Sequence, residues 1–197
     1  DSSDKLFATN KDGLYVINLN SIYDKIIITK DNVNQVNREI IVDAANVSKI
    51  TKENGLPSNK LNIVRIDAND VAWIGSDFGL IRYEEVQIST FTTFNGLNSN
   101  KINDISIRNT AIRYIATTSG VNKMVGISVN PLNFDNTNAP PASINETSVG
   151  DVSVPVFVNA IAVKWKDPNI LWIASNHNVF QITFIEESFT TEKTEIT

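Results

Sequence analysis

Asn54-Gly55-Leu56-Pro57-Ser58-Asn59-Lys60-Leu61-Asn62 returns as Asn95-Gly96-Leu97-Asn98-Ser99-Asn100-Lys101-Ile102-Asn103, with seven of nine positions identical at a shift of 41 residues. The same shift carries Trp73-Ile74-Gly75 onto Tyr114-Ile115-Ala116, and Gly79-Leu80 onto Gly120-Val121. Two more copies of the second half flank these. Leu6-Phe7-Ala8-Thr9 leads to Gly13-Leu14-Tyr15, and Leu171-Trp172-Ile173-Ala174 leads to Asn178-Val179-Phe180. In all four copies an aromatic (Phe7, Trp73, Tyr114, Trp172) stands six residues ahead of Gly13, Gly79, Gly120 or Asn178. Glycine and asparagine both tolerate positive φ, so the turn itself demands that conformation. Self-similarity at such a period is the signature of a repeat architecture.

Each copy reads as two short strands around a tight turn. Val71, Trp73 and Gly75 alternate with Ala72 and Ile74, and Leu80 and Arg82 with Ile81 and Tyr83, a period of two in β-branched and aromatic residues. A further strand precedes each pair, over Leu61 to Ile66, Ile102 to Ile107 and Val158 to Val163. A more polar one follows, such as Gln87 to Phe94. No window of helical length combines a 3.6-residue period with caps. Four strands per unit of about 40 to 45 residues is the spacing of a propeller blade.

At these residues the chain resembles the two-component regulator propeller repeat. Asn54 to Tyr83 carries the pattern almost entire: Asn-Gly-Leu-Pro-Ser-Asn, an apolar pair, Asp67, Trp73-Ile74-Gly75, then Gly79-Leu80 and an aromatic. Asp70 stands where that repeat usually has Gly. The unit from Asn95 to Lys123 departs at Arg108 and Tyr114, which replace the Asp and the Trp. The fourth unit keeps Asp167, Leu171, Trp172 and Ile173 but not the Asn-Gly-Leu opening, and the first keeps only strand, turn and strand. The resemblance implies the periplasmic sensor region of a bacterial hybrid two-component system, for which carbohydrate sensing is a common role.

The expected fold is therefore all-β, a propeller of about four four-stranded antiparallel blades near 5–50, 51–94, 95–150 and 151–197. Let the strands of a blade be A to D from axis to rim. The Asn-Gly-Leu segment then joins D to the next A, the aromatic strand is B, and Gly-Leu opens C. The chain starts at B of the first blade and ends after C or D of the fourth, in Ser188 to Thr197. About fifteen strands result, with one A strand absent. An open segment of a larger ring, or a ring closed by a partner chain, is expected, because an unpaired inner edge invites association. Two stretches break the period. Asn20 to Val47 lengthens the first interval to 66 residues, and Asn130 to Gly150, with Pro131, Pro140 and Pro141, reads as a surface loop or an outer-strand insertion.

Composition limits the chemistry. The 197 residues carry a net charge of −5 and no basic stripe, which argues against nucleic acid and anionic lipid as partners. No apolar run approaches a membrane span, so no direct membrane insertion is expected. Absence of cysteine excludes disulfides and thiolate sites. The opening Asp1-Ser2-Ser3-Asp4 has no basic or apolar region of a signal peptide, as in a mature form or a chain that never carried one. The single histidine, His177, lies in a B-to-C turn where the other copies have Asp12, Phe78 and Ser119, so a solvated turn residue is expected. Asp67 and Asp70 in one turn, and adjacent Glu84 and Glu85, read as carboxylates that satisfy backbone donors or face water rather than a glycosidase pair. Asn133 to Asn138 alternates oxygen side chains but lacks the closing acid of a Ca²⁺ loop. No catalytic residue, metal or cofactor is expected. The recurring aromatics are expected in the packing between blades.

The candidate binding residues are those that blade geometry gathers on one loop face. Asn59, Lys60, Asn100 and Lys101 lie where D-to-A loops meet inner strands, and Asp77, Thr118 and His177 lie in B-to-C turns that open on the same side. Ser58 and Asn59 have a plainer role open to them, bonding the loop backbone. The expected function is a non-catalytic ligand-sensing module, periplasmic or extracellular, with a small molecule or oligosaccharide as ligand. The alternative is a structural or protein-interaction propeller of a secreted, cell-surface or phage-appendage assembly. There, self-association or a protein partner would supply the missing strand.

Overall fold

The structure, a computed structural model, describes residues 4–19, 26–30, 36–40, 44–84, 87–132, 157–176, 179–185 and 188–194. His177, Asn178, Glu85 and the Asn133 to Asn138 stretch lie outside the described residues.

All the sheets but one separate hairpin follow the repeat. The first sheet has β1 (Lys5–Asn10), β2 (Gly13–Asn18) and, after a separate hairpin of β3 (Ile26–Lys30) with β4 (Val36–Ile40), β5 (Val47–Ile50); its order is β1-β2-β5. The second has β6 (Leu61–Ile66), β7 (Ala72–Ser76), β8 (Gly79–Glu84) and β9 (Gln87–Phe91) in that order. The third has β10 (Ile102–Ile107), β11 (Ile112–Thr117), β12 (Gly120–Val125) and β13 (Ser128–Pro131). The fourth has β14 (Val158–Lys164), β15 (Asp167–Ser175), β16 (Val179–Ile185) and β17 (Ser188–Thr194). All neighbours are antiparallel, as hairpin connections require. Among the described residues, three sheets of four strands, one of three and the two-stranded hairpin form a propeller-like all-β array.

The long interval between β2 and β5 holds a paired hairpin, β3 with β4, which the repeat did not foretell. The strand expected over Gln87 to Phe94 stops at Phe91. There Thr92 caps a 3₁₀ turn over Thr93–Asn95, its hydroxyl accepting from the Phe94 amide. A hydroxyl that bonds the backbone locally competes with the ladder.

Period two explains the core. Neighbouring residues of one strand point to opposite faces, so each second strand serves two interfaces. Trp73 packs with Leu97, Ile102, Ile105, Ile115 and Met124 toward the third sheet, and Ile74 and Ala72 pack with Leu14 and Ile81 toward the first. Tyr114 and Ala116 pack with Leu171 and Ile173 toward the fourth. The core is thus three apolar slabs between successive sheets. Trp73 and Tyr114 are buried, as expected of the recurring aromatic, each worth about 1.5–3 kcal/mol or more of burial. Phe7 and Trp172, in the end sheets, are only half-buried.

Candidate functional site

The loop that enters each inner strand is built by its own side chains. Asn54 Oδ1 accepts from the Thr51 amide at 2.9 Å, and Asn95 Oδ1 accepts from the Thr92 amide at 2.9 Å. Gly55 and Gly96 then take φ of 103° and 100°, left-handed backbone that a side chain would strain. Seven residues away along the chain, Asn59 Oδ1 accepts from the Lys52 amide at 2.7 Å, and Asn100 Oδ1 from the Thr93 amide at 2.8 Å. Ser58 Oγ accepts from the Lys60 amide and Ser99 Oγ from the Lys101 amide. The recurring Asn-Gly-Leu-x-Ser-Asn string is therefore a self-capped loop, and the carboxamide oxygens of Asn59 and Asn100 hold it closed.

The loop face brings together Lys60, Asp77, Lys101 and Thr118, while His177 lies outside the described residues. Lys60 Nζ donates to Asp77 Oδ2 at 3.1 Å across 17 residues of chain, and its side chain is 66% exposed. Thr118 donates its amide to the Lys101 carbonyl at 3.2 Å, and its hydroxyl lies 2.8 Å from Ser99 Oγ. Asp77 also accepts from Asn62 Nδ2 at 3.0 Å. Hydrogen bonds from Asn62 and then Lys60, with the charges of Lys60 and Lys101 beside it, hold the Asp77 carboxyl below its ordinary range despite partial burial. Lys60, Asp77, Lys101 and Thr118 thus form one polar patch at the junction of the second and third sheets. Among the described residues, no group of three or more His, Cys, Asp or Glu is placed to hold a metal ion.

Asn62 is a residue that inspection of the repeat passed over. The same amide nitrogen that reaches Asp77 donates to the Ile102 carbonyl at 2.9 Å, tying β6 to β10. One repeat on, Asn103 Nδ2 donates to the Val158 carbonyl at 2.6 Å, tying β10 to β14. The identity of Asn62 and Asn103 within the nine-residue match was the signal.

A second group lies buried between the sheets. Asp67 Oδ1 accepts from the amides of Asn69 and Val71, and Oδ2 accepts from Trp73 Nε1 at 2.9 Å and Arg113 Nη2 at 2.7 Å. The Arg113 and Asp67 side chains are 5% and 0% exposed, and the guanidinium carbon lies 3.9 Å from the Trp73 ring centroid. Arg113 donates further to the Thr110 and Gly126 carbonyls. Burial alone would raise the Asp67 carboxyl. The bonds from Trp73, Arg113, Asn69 and Val71 outweigh it and hold the group below its ordinary value. Asp67 therefore satisfies local donors, as its turn position suggested, and also locks two sheets together. Glu84 pairs with Arg82 on its own strand.

The architecture is similar in fold to solved structures. The extracellular domain described as that of the hybrid two component system BT4673 from B. thetaiotaomicron superposes with a TM-score of 0.61 at 13% identity, over 98% of this chain and 22% of that one. The corresponding domain of BT3049 from the same organism gives a TM-score of 0.58 at 14% identity, over 97% of this chain and 22% of that one. At such identity the likeness is one of fold, and the chain spans about a fifth of each of these structures. No family model matches the sequence, and no curated protein matches it.

Proposed function

We propose that this chain is a non-catalytic, ligand-binding stretch of a larger propeller in the extracellular or periplasmic sensor region of a bacterial two-component regulator. What carries the reading is the loop face. Self-capped loops fix a patch in which exposed Lys60 and Lys101 stand beside Asp77 and Thr118, on a rigid scaffold. Recognition groups on loops held by a rigid scaffold are the usual arrangement of a binding site. The fold shared with two extracellular domains of hybrid two component systems supports the same reading. Two lysines, a carboxylate and a hydroxyl suit a polyhydroxylated ligand bearing an acidic group.

Calorimetric titration with neutral and acidic oligosaccharides tests this. An acidic oligosaccharide should bind, and Lys60→Ala with Lys101→Ala should weaken it by about tenfold or more, the scale of one charge-assisted hydrogen bond. Binding that ignores both substitutions, or no saccharide binding at all, overturns the assignment to this face.

A further inference from the structure

On the loop face, the second, third and fourth sheets carry one arrangement of side chains with single parts exchanged. In the second sheet the Asp77 carboxylate lies between two donors. Lys60 Nζ reaches its Oδ2 at 3.1 Å, and Asn62 Nδ2 reaches its Oδ1 at 3.0 Å. The same Asn62 nitrogen gives its other hydrogen to the Ile102 carbonyl at 2.9 Å, so both amide hydrogens are used. The 41-residue shift carries Lys60, Asn62 and Asp77 onto Lys101, Asn103 and Thr118. The third sheet therefore keeps both donors and has a hydroxyl where the second has the acid.

That exchange leaves the donors of the third sheet unmatched. Asn103 Nδ2 gives one hydrogen to the Val158 carbonyl at 2.6 Å, and the other has no partner among the described residues. The Thr118 hydroxyl is engaged with Ser99 Oγ, 2.8 Å away. Lys101 is exposed, and among the described residues no carboxylate lies within ion-pair distance of its ammonium. Its charge is felt at Asp77, but Lys60 already pairs that acid. In the fourth sheet cation and acid are both gone. Phe157 stands in the place of the lysine and Asn176 in that of the aspartate, and Asn159 Nδ2 donates to Asn176 Oδ1 at 2.8 Å. Lysine and acid are thus present together in the second sheet, absent together in the fourth, and mismatched in the third alone.

We propose that Lys101 and Asn103 form a subsite for the carboxylate of a ligand, which takes between them, over Thr118, the position that the Asp77 carboxylate takes between Lys60 and Asn62. The second sheet is the template. It offers an ammonium to one oxygen and an amide hydrogen to the other, which is what a carboxylate demands; a sulfate or phosphate brings a third oxygen that neither donor serves. There the hydrogen bonds of Asn62 and Lys60 hold the Asp77 carboxyl below its ordinary range, so this pair of donors favours the ionised form. For the remainder of the ligand the inference rests on the saccharide reading above; the subsite itself rests on the repeat.

The test titrates the full chain with acetate against chloride at constant ionic strength and follows the side-chain amide signals of Asn62, Asn103 and Asn159 by NMR. The Asn103 signal should shift saturably while the other two stay in place. Lys101→Met should weaken that response by about tenfold or more, the scale of one charge-assisted hydrogen bond. Thr118→Asp supplies the acid from the chain itself. It should abolish the acetate response, and the new carboxyl should titrate below the ordinary carboxylate range, as that of Asp77 does. Asp77→Thr should in turn make Asn62 respond. Equal shifts at all three asparagines mark a general anion effect and overturn the proposal, as does an Asn103 signal that never moves or one that moves undiminished in Thr118→Asp. An acidic oligosaccharide that binds while acetate leaves Asn103 unmoved breaks the subsite and spares the saccharide reading. Acetate held at Asn103 with no oligosaccharide bound supports the subsite and breaks that reading alone.

Discussion

The junction of the second and third sheets and the junction of the third and fourth use one register and different chemistry. At the first, Asp67, Trp73 and Arg113 form a buried ion pair under an indole. At the second, the same three places hold Arg108, Tyr114 and Leu171. Arg108 there donates to Asn169 at the half-exposed rim and faces the Tyr114 hydroxyl, which burial raises above its ordinary range although the charge and hydrogen bond of Arg108 pull the other way. The repeat thus fixes positions, and the chemistry at each position is free to change if both sides change together. A lone Arg113 against a leucine, or Asp67 without its arginine, would leave a buried charge unpaired.

The comparison breaks most visibly at Asp67. Asp67→Ala should cost about 3–5 kcal/mol in urea unfolding, the penalty of stranding Arg113, while Arg108→Ala should cost about 1 kcal/mol or less. Asp67→Leu with Arg113→Met should recover most of the loss, since apolar pairs replace buried ion pairs at little cost. Equal effects of Asp67→Ala and Arg108→Ala would erase the distinction between the junctions. Acid provides a second view. The Asp67 carboxyl lies below its ordinary value of 3.8, so its contribution is full above that pH and is lost as pH falls through the lower folded value. Urea midpoints should therefore decline below about pH 4 in the parent and more weakly in Asp67→Asn.

Smaller effects sharpen the comparison. A Cβ at Gly75 would stand 2.7 Å from Ile102 Cγ2 and 2.8 Å from Ile63 Cγ2, whereas the equivalent residue of the third sheet is already Ala116, fully buried. Gly75→Ala should cost about 1–3 kcal/mol by overpacking. The asparagine ties are of another kind, present at both junctions. Asn62→Ala and Asn103→Ala should each cost about 0.5–1.5 kcal/mol, the net worth of a hydrogen bond, and a large disparity between them would show that Asn62 acts chiefly through Asp77.

These residues also mark how far the sequence can be read. The strands of the repeated units and their order follow from period two and the 41-residue shift. The recurring aromatics follow for the same reason. The hairpin of β3 with β4 lies in a stretch without a repeat partner, and its pairing had nothing to align against. On the loop face, spacing brought Lys60 to Asp77 and Thr118 to Lys101, but Asn59 and Asn100 turn inward to the loop backbone. Polar residues in a loop look alike in sequence whether they bond their own amides or face outward. Arg113 carried a signal, a charge inside an apolar strand, yet its partner Asp67 is 46 residues away. Only the face shared by two sheets joins them.

The smallest effect concerns the turn between the first two strands of each sheet, and here the two sheets should answer with opposite signs. In the second sheet Asp67 caps the Asn69 and Val71 amides, and Asp70 between them takes φ 62°. In the third, Asn109 caps the Ala111 and Ile112 amides, and Ala111, at the place of Asp70, is not among the residues with positive φ. A side chain in the left-handed region costs energy that glycine avoids, so Asp70→Gly should stabilise by up to about 1 kcal/mol. Glycine in ordinary backbone only adds entropy to the unfolded chain, so Ala111→Gly should destabilise by about 0.5–1 kcal/mol. Thermal unfolding of the two variants side by side reads the signs directly. Destabilisation by both would mean that Asp70 contributes through its side chain, and that the two turns differ in bonding and not only in backbone form.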